Sequence, residues 1–235
     1  MTCNIIATGS KGNAVLINDS ILIDCGVPYK TLSEDPETIG RLRLVLLTHI
    51  HGDHTNLTTI RRIHKERPSV RFVCAPWMAP VLFRTGISSR KVDCLSQGEW
   101  YAYSDDRGGC MEIRCVETYH DVPNCAWDLR FSEESVFYAT DCGNLHGVEA
   151  RDRTLYLIEG NYKEGELQER ARLKTESGEF SYEPRVAEFH LSEEQALRFL
   201  SENAGPSSKY VLIHRHEDSN KIISRHKEKT LQGTT

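Results

Sequence analysis

The chain has 235 residues, 39% hydrophobic and 27% charged, which is long enough for a sizeable buried core. Its apolar runs, such as Leu44 to Leu47 and Val211 to Ile213, fall far short of the ~18 residues of a membrane-spanning helix, and no charged-then-apolar leader precedes Ile5-Ile6. Membrane and secreted classes are not expected; a cytoplasmic protein is. The formal charge of −5 argues against holding nucleic acid through an overall field, so a polyanion would have to meet a local patch.

In chain order, Asn13 to Asn18 and Ser20 to Asp24 are apolar or β-branched runs around a tight turn and predict a hairpin. Leu42 to Thr48 reads as a strand buried on both faces. Leu57, Ile60 and Ile63 recur at helical spacing, with Arg61, Arg62 and Lys65 elsewhere on the wheel, and Pro68 ends this amphipathic helix. Val70 to Ala75 returns to strand. Further strands are expected at 112–118, 127–131, 135–140, 154–158 and 210–213, with helices at 163–173 and 192–201. Ser192, followed by Glu193 and Glu194, is placed to cap the second of these. Residues 176–184 read as a polar loop, and 219–229 as a last short helix. No repeat, low-complexity tract or long linker interrupts the chain, so one mixed α/β domain over 1–235 is expected, with more strands than helices.

The histidines carry the chemistry. Residues 48–54 read Thr-His-Ile-His-Gly-Asp-His directly after a buried strand. Imidazoles two residues apart on such a turn can converge on one cation; Asp53 and His54, read here as the start of a helix, can hold a second. Gly52 permits a sharp turn. Neutral imidazole with carboxylate is a donor set for Zn²⁺, Mn²⁺ or Fe²⁺. Completing two sites needs ligands from other strand ends, where His120, Asp141 and His214 each stand after an apolar run. The eight cysteines contain no C-x-x-C pair, which points to reduced thiols and away from a disulfide scaffold.

With these residues in place, the chain resembles the metallo-β-lactamase fold superfamily over essentially its whole length. Five motifs appear in order: Asp24 in Ile-Leu-Ile-Asp24-Cys-Gly, the His49–His54 block, His120, Asp141 in Ala-Thr-Asp141-Cys-Gly, and His214. Thr8-Gly-Ser-Lys-Gly-Asn13, Leu157-Ile-Glu159-Gly-Asn161-Tyr, His190-Leu-Ser-Glu-Glu and His214-Arg-His-Glu-Asp-Ser-Asn220 are similar to its small exonuclease-like branch, the YycJ type. Two positions depart from the branch pattern on the expected substrate side: Phe189 where glycine is usual, and His214-Arg215-His216-Glu217 where His-Leu-Ser-Glu is usual.

The resemblance implies an αβ/βα sandwich, two packed mixed sheets flanked by helices, with the site at one edge. It implies two divalent metal ions, zinc or manganese: His49, His51 and His120 on one, Asp53, His54 and His214 on the other, and Asp141 bridging. Asp24 would order the His block without binding metal. The expected activity is hydrolysis of a phosphodiester in nucleic acid or a nucleotide by a metal-bridging hydroxide. Asp53 would orient that hydroxide, and His190 would contact phosphate or donate a proton. The basic residues Arg61, Arg62, Lys65, Arg67 and Arg215 support a polyanionic substrate only weakly, and no protein partner is implied. The same site type also serves thioester, lactone or β-lactam hydrolysis. Iron enzymes of this fold that reduce oxygen or nitric oxide usually carry Glu at the His51 position, whereas persulfide-oxidising members retain two His on a single iron, which leaves that alternative open. A non-catalytic module commonly loses ligands, none of which is lost here. Cys142 is expected to pack beneath the site, Trp77, Trp100 and Trp127 to be core or loop anchors, with Trp127 a candidate to line the pocket; His216 could reach substrate, and His64, His146 and His226 are given no role.

Overall fold

Strand pairing sorts the chain into two six-stranded sheets. The computed structural model describes residues 1–104 and 109–215, so the helix expected at 219–229 and the positions His216 and His226 lie outside the described residues. In the first sheet, β1 (Cys3–Ala7), β2 (Ala14–Ile17) and β3 (Ile21–Ile23) are antiparallel. Then β4 (Leu44–Leu47), β5 (Arg71–Cys74) and β6 (Val92–Cys94) continue in parallel. The β2–β3 hairpin is the one the sequence predicts. Asn18 and Asp19 both have positive φ, and Ser20 N–H donates to the Ile17 carbonyl, the geometry of a type I′ turn whose twist suits paired strands.

The second sheet runs β7 (Trp100–Ser104), β8 (Cys110–Thr118), β9 (Asn124–Arg130) and β10 (Ser135–Ala139) as antiparallel neighbours. It ends with β11 (Leu155–Glu159) and β12 (Lys209–Ile213) in parallel. Side-chain alternation along the strands makes three apolar layers. Val15, Ile17, Ile23, Leu46 and Val73 face Ile113, Trp127, Leu129, Tyr138 and Leu157 between the sheets. On the outer face of the first sheet, Leu16, Leu22, Val45 and Phe72 meet Ile60 and Ile63 of α3 (Leu57–Glu66). On the outer face of the second, Phe137, Tyr156 and Ile158 meet Ala196, Phe199 and Leu200 of α7 (Glu193–Asn203). This is the expected αβ/βα sandwich. Trp127 is fully buried between the sheets, so it is core and does not line a pocket.

Ser192 caps α7 as predicted, its Oγ accepting from Gln195 N–H while Gln195 Oε1 accepts from Ser192 N–H. Two readings change. Helix α3 starts at Leu57 behind an Asn56 cap, so Asp53 and His54 belong to the preceding turn, where His54 N–H donates to His51 O. The polar stretch 176–184 is loop over 178–182 and helix at its two ends: α5 (Glu164–Ser177) closes on Gly178 at φ 75°, and α6 (Glu183–Phe189) begins five residues later. Among the described residues no helix is long and apolar enough to cross a membrane.

Candidate metal centre

The strand ends deliver the side chains. His49, His51, Asp53 and His54 follow β4 of the first sheet, while His120, Asp141 and His214 follow β8, β10 and β12 of the second. Asp24, Asp141 and His214 all sit at positive φ (58°, 49° and 53°) just after their strands, a conformation uncommon away from glycine. Such residues cost of order 1–3 kcal/mol each and persist only where surrounding contacts hold them. Here they end each strand abruptly and aim its next side chain into one place.

That place holds three overlapping groups, one of them Asp141, Glu159, His190 and His214. His49, His51 and His120 converge with Asp141, and Asp53, His54 and His214 converge with the same Asp141, each set with its donor atoms within 4.8 Å of one another. Asp141 Oδ2 is 3.3 Å from His49 Nε2 and 2.8 Å from His54 Nε2. The outward ring nitrogens have partners of their own: His54 Nδ1 meets Asp24 Oδ2 at 2.7 Å, His49 Nδ1 meets Thr48 Oγ1 at 3.0 Å, and His120 Nδ1 meets the Phe189 carbonyl at 3.0 Å. With protons held outward, lone pairs are left facing inward, His49 Nε2 and His51 Nδ1 at 3.1 Å and His120 Nε2 and His51 Nδ1 at 3.4 Å. Two imidazole lone pairs at such distances repel unless a proton or a cation lies between them. His214 Nε2 is likewise buried without a hydrogen-bond partner, and Asp141 Oδ1 lies 3.0 Å from His214 Nδ1 and 3.3 Å from His190 Nδ1. The donor set therefore fits metal ions.

Asp24 is the organiser the sequence predicts. Fully buried, it accepts from Thr48 N–H and Thr48 Oγ1–H, from the Tyr138 hydroxyl at 3.1 Å, and from His54. One carboxylate thus orients both arms of the His block, directly through His54 and through Thr48 for His49. The turn is also clamped sterically: a Cβ on Gly26 would lie 1.6 Å from the Asp53 carbonyl oxygen, so only glycine lets the two segments touch. Asn13 fastens the preceding loop to the same turn, its amide nitrogen 2.8 Å from His54 Nε2 and 3.2 Å from Asp53 O.

Glu159 stands in the Leu157-Ile-Glu159-Gly-Asn161-Tyr motif, where the sequence alone gives it no role. It is fully buried at the end of β11, with Oε1 2.7 Å from His190 Nδ1 and 3.0 Å from His214 Nδ1. Its Oε2 accepts from Cys142 N–H at 3.0 Å. One carboxylate therefore holds both rings and leaves each Nε2 as the remaining polar atom. The signal was a carboxylate inside an otherwise apolar run, a position that needs a partner. Cys142 packs beneath the site, and burial pushes its thiol up, as an inert core residue requires.

Electrostatics divide the rings. Burial, aided by the neighbouring His54 charge, lowers His49 to about 4, so it is neutral. Burial also opposes charge on His54, but Asp141 and Asp24 overcome it and raise the ring to about 10. His190 is likewise raised to about 10 by Glu159 and Asp141 against its burial. Asp53 stays below the ordinary carboxylate range because His214 and His54 outweigh its desolvation. Protons on these rings occupy positions that cations can take.

The cavity over the cluster has a volume of about 340 Å³ and is walled by His51, Asp53, His120, His190 and His214 on one side and by Tyr182, Arg185 and Phe189 on the other. The basic residues of α3 do not reach it. Arg61 donates to Thr85 O, Arg62 pairs with Glu66, and neither they nor Lys65 and Arg67 line the cavity. Arg215 pairs with Glu193 at 3.2 Å. The eight cysteines are all free.

Two packed mixed sheets carrying a His/Asp cluster at their shared edge define a metal-dependent hydrolase of the metallo-β-lactamase fold. The family described as "Beta-lactamase superfamily domain" matches residues 19–215, and the chain belongs to that superfamily. Solved structures of similar fold include the metallo-beta-lactamase fold protein YhfI from Bacillus subtilis, at 15% identity and TM-score 0.66 over 91% of this chain and 85% of that one. Human tRNase Z, short form, is similar at 16% identity and TM-score 0.65, over 93% of this chain and 94% of that one. Zn(2+)-bound PqqB from Methylobacterium extorquens is similar at 13% identity and TM-score 0.61, over 92% and 89%. No curated protein matches the chain.

Proposed function

We propose that the protein is a dinuclear-metal phosphodiesterase acting on nucleic acid or nucleotides, of the YycJ-like branch, with zinc or manganese as its metals. The observation that carries the reading is the sharing of Asp141 between two complete ligand sets, with His190 held beside them by Glu159. His49, His51 and His120 would hold one ion and Asp53, His54 and His214 the other. Two such ions supply Lewis acidity to a phosphoryl group and hydroxide near neutral pH.

The protein's own residues do the rest. Asp53 is partly exposed in the cavity and ionised, so it can orient the attacking oxygen as well as bind metal. His190 lines the cavity with Nδ1 committed to Glu159, which leaves Nε2 to donate a proton to the leaving oxygen. Glu159 balances the charge His190 carries before that transfer. The likeness to a protein named as a tRNase supports a nucleic-acid substrate, and the likeness to a zinc-bound structure supports zinc. Eight free thiols favour a reducing, cytoplasmic setting.

The test is turnover of end-labelled single- and double-stranded DNA with added Mn²⁺ or Zn²⁺, with Asp53→Ala and a thioester substrate run in parallel. Metal-dependent nucleotide release by the wild type, lost in Asp53→Ala, is expected. Thioester hydrolysis with no cleavage of either DNA would overturn the phosphodiester reading while leaving the metal centre intact.

A further inference from the structure

The wall opposite the metal cluster has a composition the hydrolytic reading does not use. Tyr182, Arg185, Val186 and Phe189 all line the cavity, and their spacing of three, four and seven places them on one face of α6. Tyr182 is 64% exposed and Phe180, just before it, 74% exposed, unusual values for large rings. The two rings are in edge contact, centroids 4.6 Å apart. Farther in, Tyr119 stacks on Phe189 at 5.7 Å, and the Arg185 guanidinium lies 5.4 Å from the Phe189 ring while pairing with Asp121. Phe189 in turn meets His120 edge to face at 6.0 Å. An exposed ring pair at the rim and an inner aromatic stack that ends at a candidate metal ligand thus share one wall of the cavity.

An apolar core does not explain this wall, because its outer members are in water. Nor is it a plain hydrophobic patch, because it carries a guanidinium and ends at a polyanion-type site. Flat rings that are open on one face, with a cation among them and a phosphoryl-binding centre at the end, match the chemistry of an unpaired nucleotide. The base has a π-face to stack, and the phosphate beside it has charge to neutralise. A base held in a duplex presents no such face.

We propose that Tyr182 and Phe180 form a stacking platform for an unpaired base next to the scissile phosphate, with Arg185 facing the flanking phosphate, so that the substrate class is single-stranded nucleic acid or a frayed end. The proposal rests on the phosphodiesterase reading and narrows it. Arg185 keeps most of its donors free for this, since its side chain is 66% exposed despite the Asp121 pair.

Two readouts test it. Metal-loaded wild type, Tyr182→Ala and Tyr182→Phe are compared on a single-stranded oligonucleotide and on the same oligonucleotide made abasic at the terminal positions. Loss of one base stack should raise KM on the native strand by about 5- to 150-fold in Tyr182→Ala, with Tyr182→Phe close to wild type. On the abasic strand the wild-type and Tyr182→Ala values of KM should converge. In a binding assay that needs no turnover, a terminal 2-aminopurine should be quenched by wild type and by Tyr182→Phe but not by Tyr182→Ala. Tyr182 is exposed, so an unchanged melting temperature confirms that each variant folds.

Equal KM for wild type and Tyr182→Ala on the native strand, with 2-aminopurine quenched by both, would overturn the platform while leaving the phosphodiesterase reading standing. Absence of both cleavage and quenching by wild type would overturn both. A dimer in sedimentation that Tyr182→Ala dissolves would assign the rings to a second copy of the chain and overturn the platform.

Discussion

Asp24 shows how one side chain can govern a centre it does not touch. Its two oxygens satisfy Thr48, His54 and Tyr138, and its φ of 58° suits the short polar side chains of Asp and Asn. Asp24→Asn keeps the backbone conformation but replaces an acceptor oxygen by a donor, which faces either His54 Nδ1–H or Thr48. Orientation of both arms of the His block is lost with it. Metal affinity, measured by calorimetric titration of the metal-free protein, should fall about 10- to 100-fold. An affinity unchanged from wild type would mean that the turn around Gly26 alone aligns the ligands.

At the scale of elements, the pair α5 and α6 is thinly anchored. Only Leu167 of α5 is buried, and the pair is tied at its open end by Lys174 Nζ and Ser181 Oγ, each 2.7 Å from a Glu183 carboxylate oxygen. The contact with Lys174 holds Glu183 at about 2, below its ordinary 4.5. A depressed carboxylate stabilises above the unfolded value and loses that contribution as pH falls through the folded one. The α5–α6 pair should therefore loosen between about pH 4.5 and 2, before the sheets do, seen as falling amide-exchange protection factors in 164–189. Lys174→Met should abolish that acid dependence; persistence of the same profile in the variant would place its origin elsewhere.

The same region shows what a linear reading cannot carry. The His block, His120, Asp141 and His214 were legible because each stands at the end of an apolar run, and apolar runs of this length are strands. The role of Glu159 is not legible in the sequence, since only folding brings its Oε1 to rings 31 and 55 residues away. The short helices α1 (Tyr29–Leu32), α2 (Pro36–Arg41) and α4 (Ala79–Arg84) hold too few turns to establish a period. Strand β7 escaped because Trp100 to Ser104 is half-exposed, and its pairing with β8 decides its state. Helix α6 was hidden by Gly178 and Pro184, read as loop markers, whereas the proline occupies the first turn of a helix, where its missing N–H costs nothing.

For the whole molecule, the candidate metal ligands come from both sheets. Within the first set, His49 and His51 follow a strand of one sheet and His120 and Asp141 follow strands of the other. Bound ions would thus fasten the two halves of the sandwich at one edge. With free metal about 100-fold above its dissociation constant, binding adds about 2.7 kcal/mol to folding. For a chain of this size, EDTA should lower the melting temperature by about 5–10 °C relative to metal-saturated protein. A midpoint insensitive to EDTA would show that packing between the sheets alone closes that edge.

The left-handed residue after the final described strand, His214, has a consequence for how the molecule comes into being. Synthesis runs from the N-terminus, so the His block and His120 emerge long before residue 214 does. Up to that moment the second ligand set is short of a member, and Glu159 has only one of its two rings to hold. A copy interrupted in translation, or clipped before β12, retains nearly all of its apolar layers but not a complete centre. On the proposed reading, hydrolytic competence would arrive with β12, and copies that lack it would be inert.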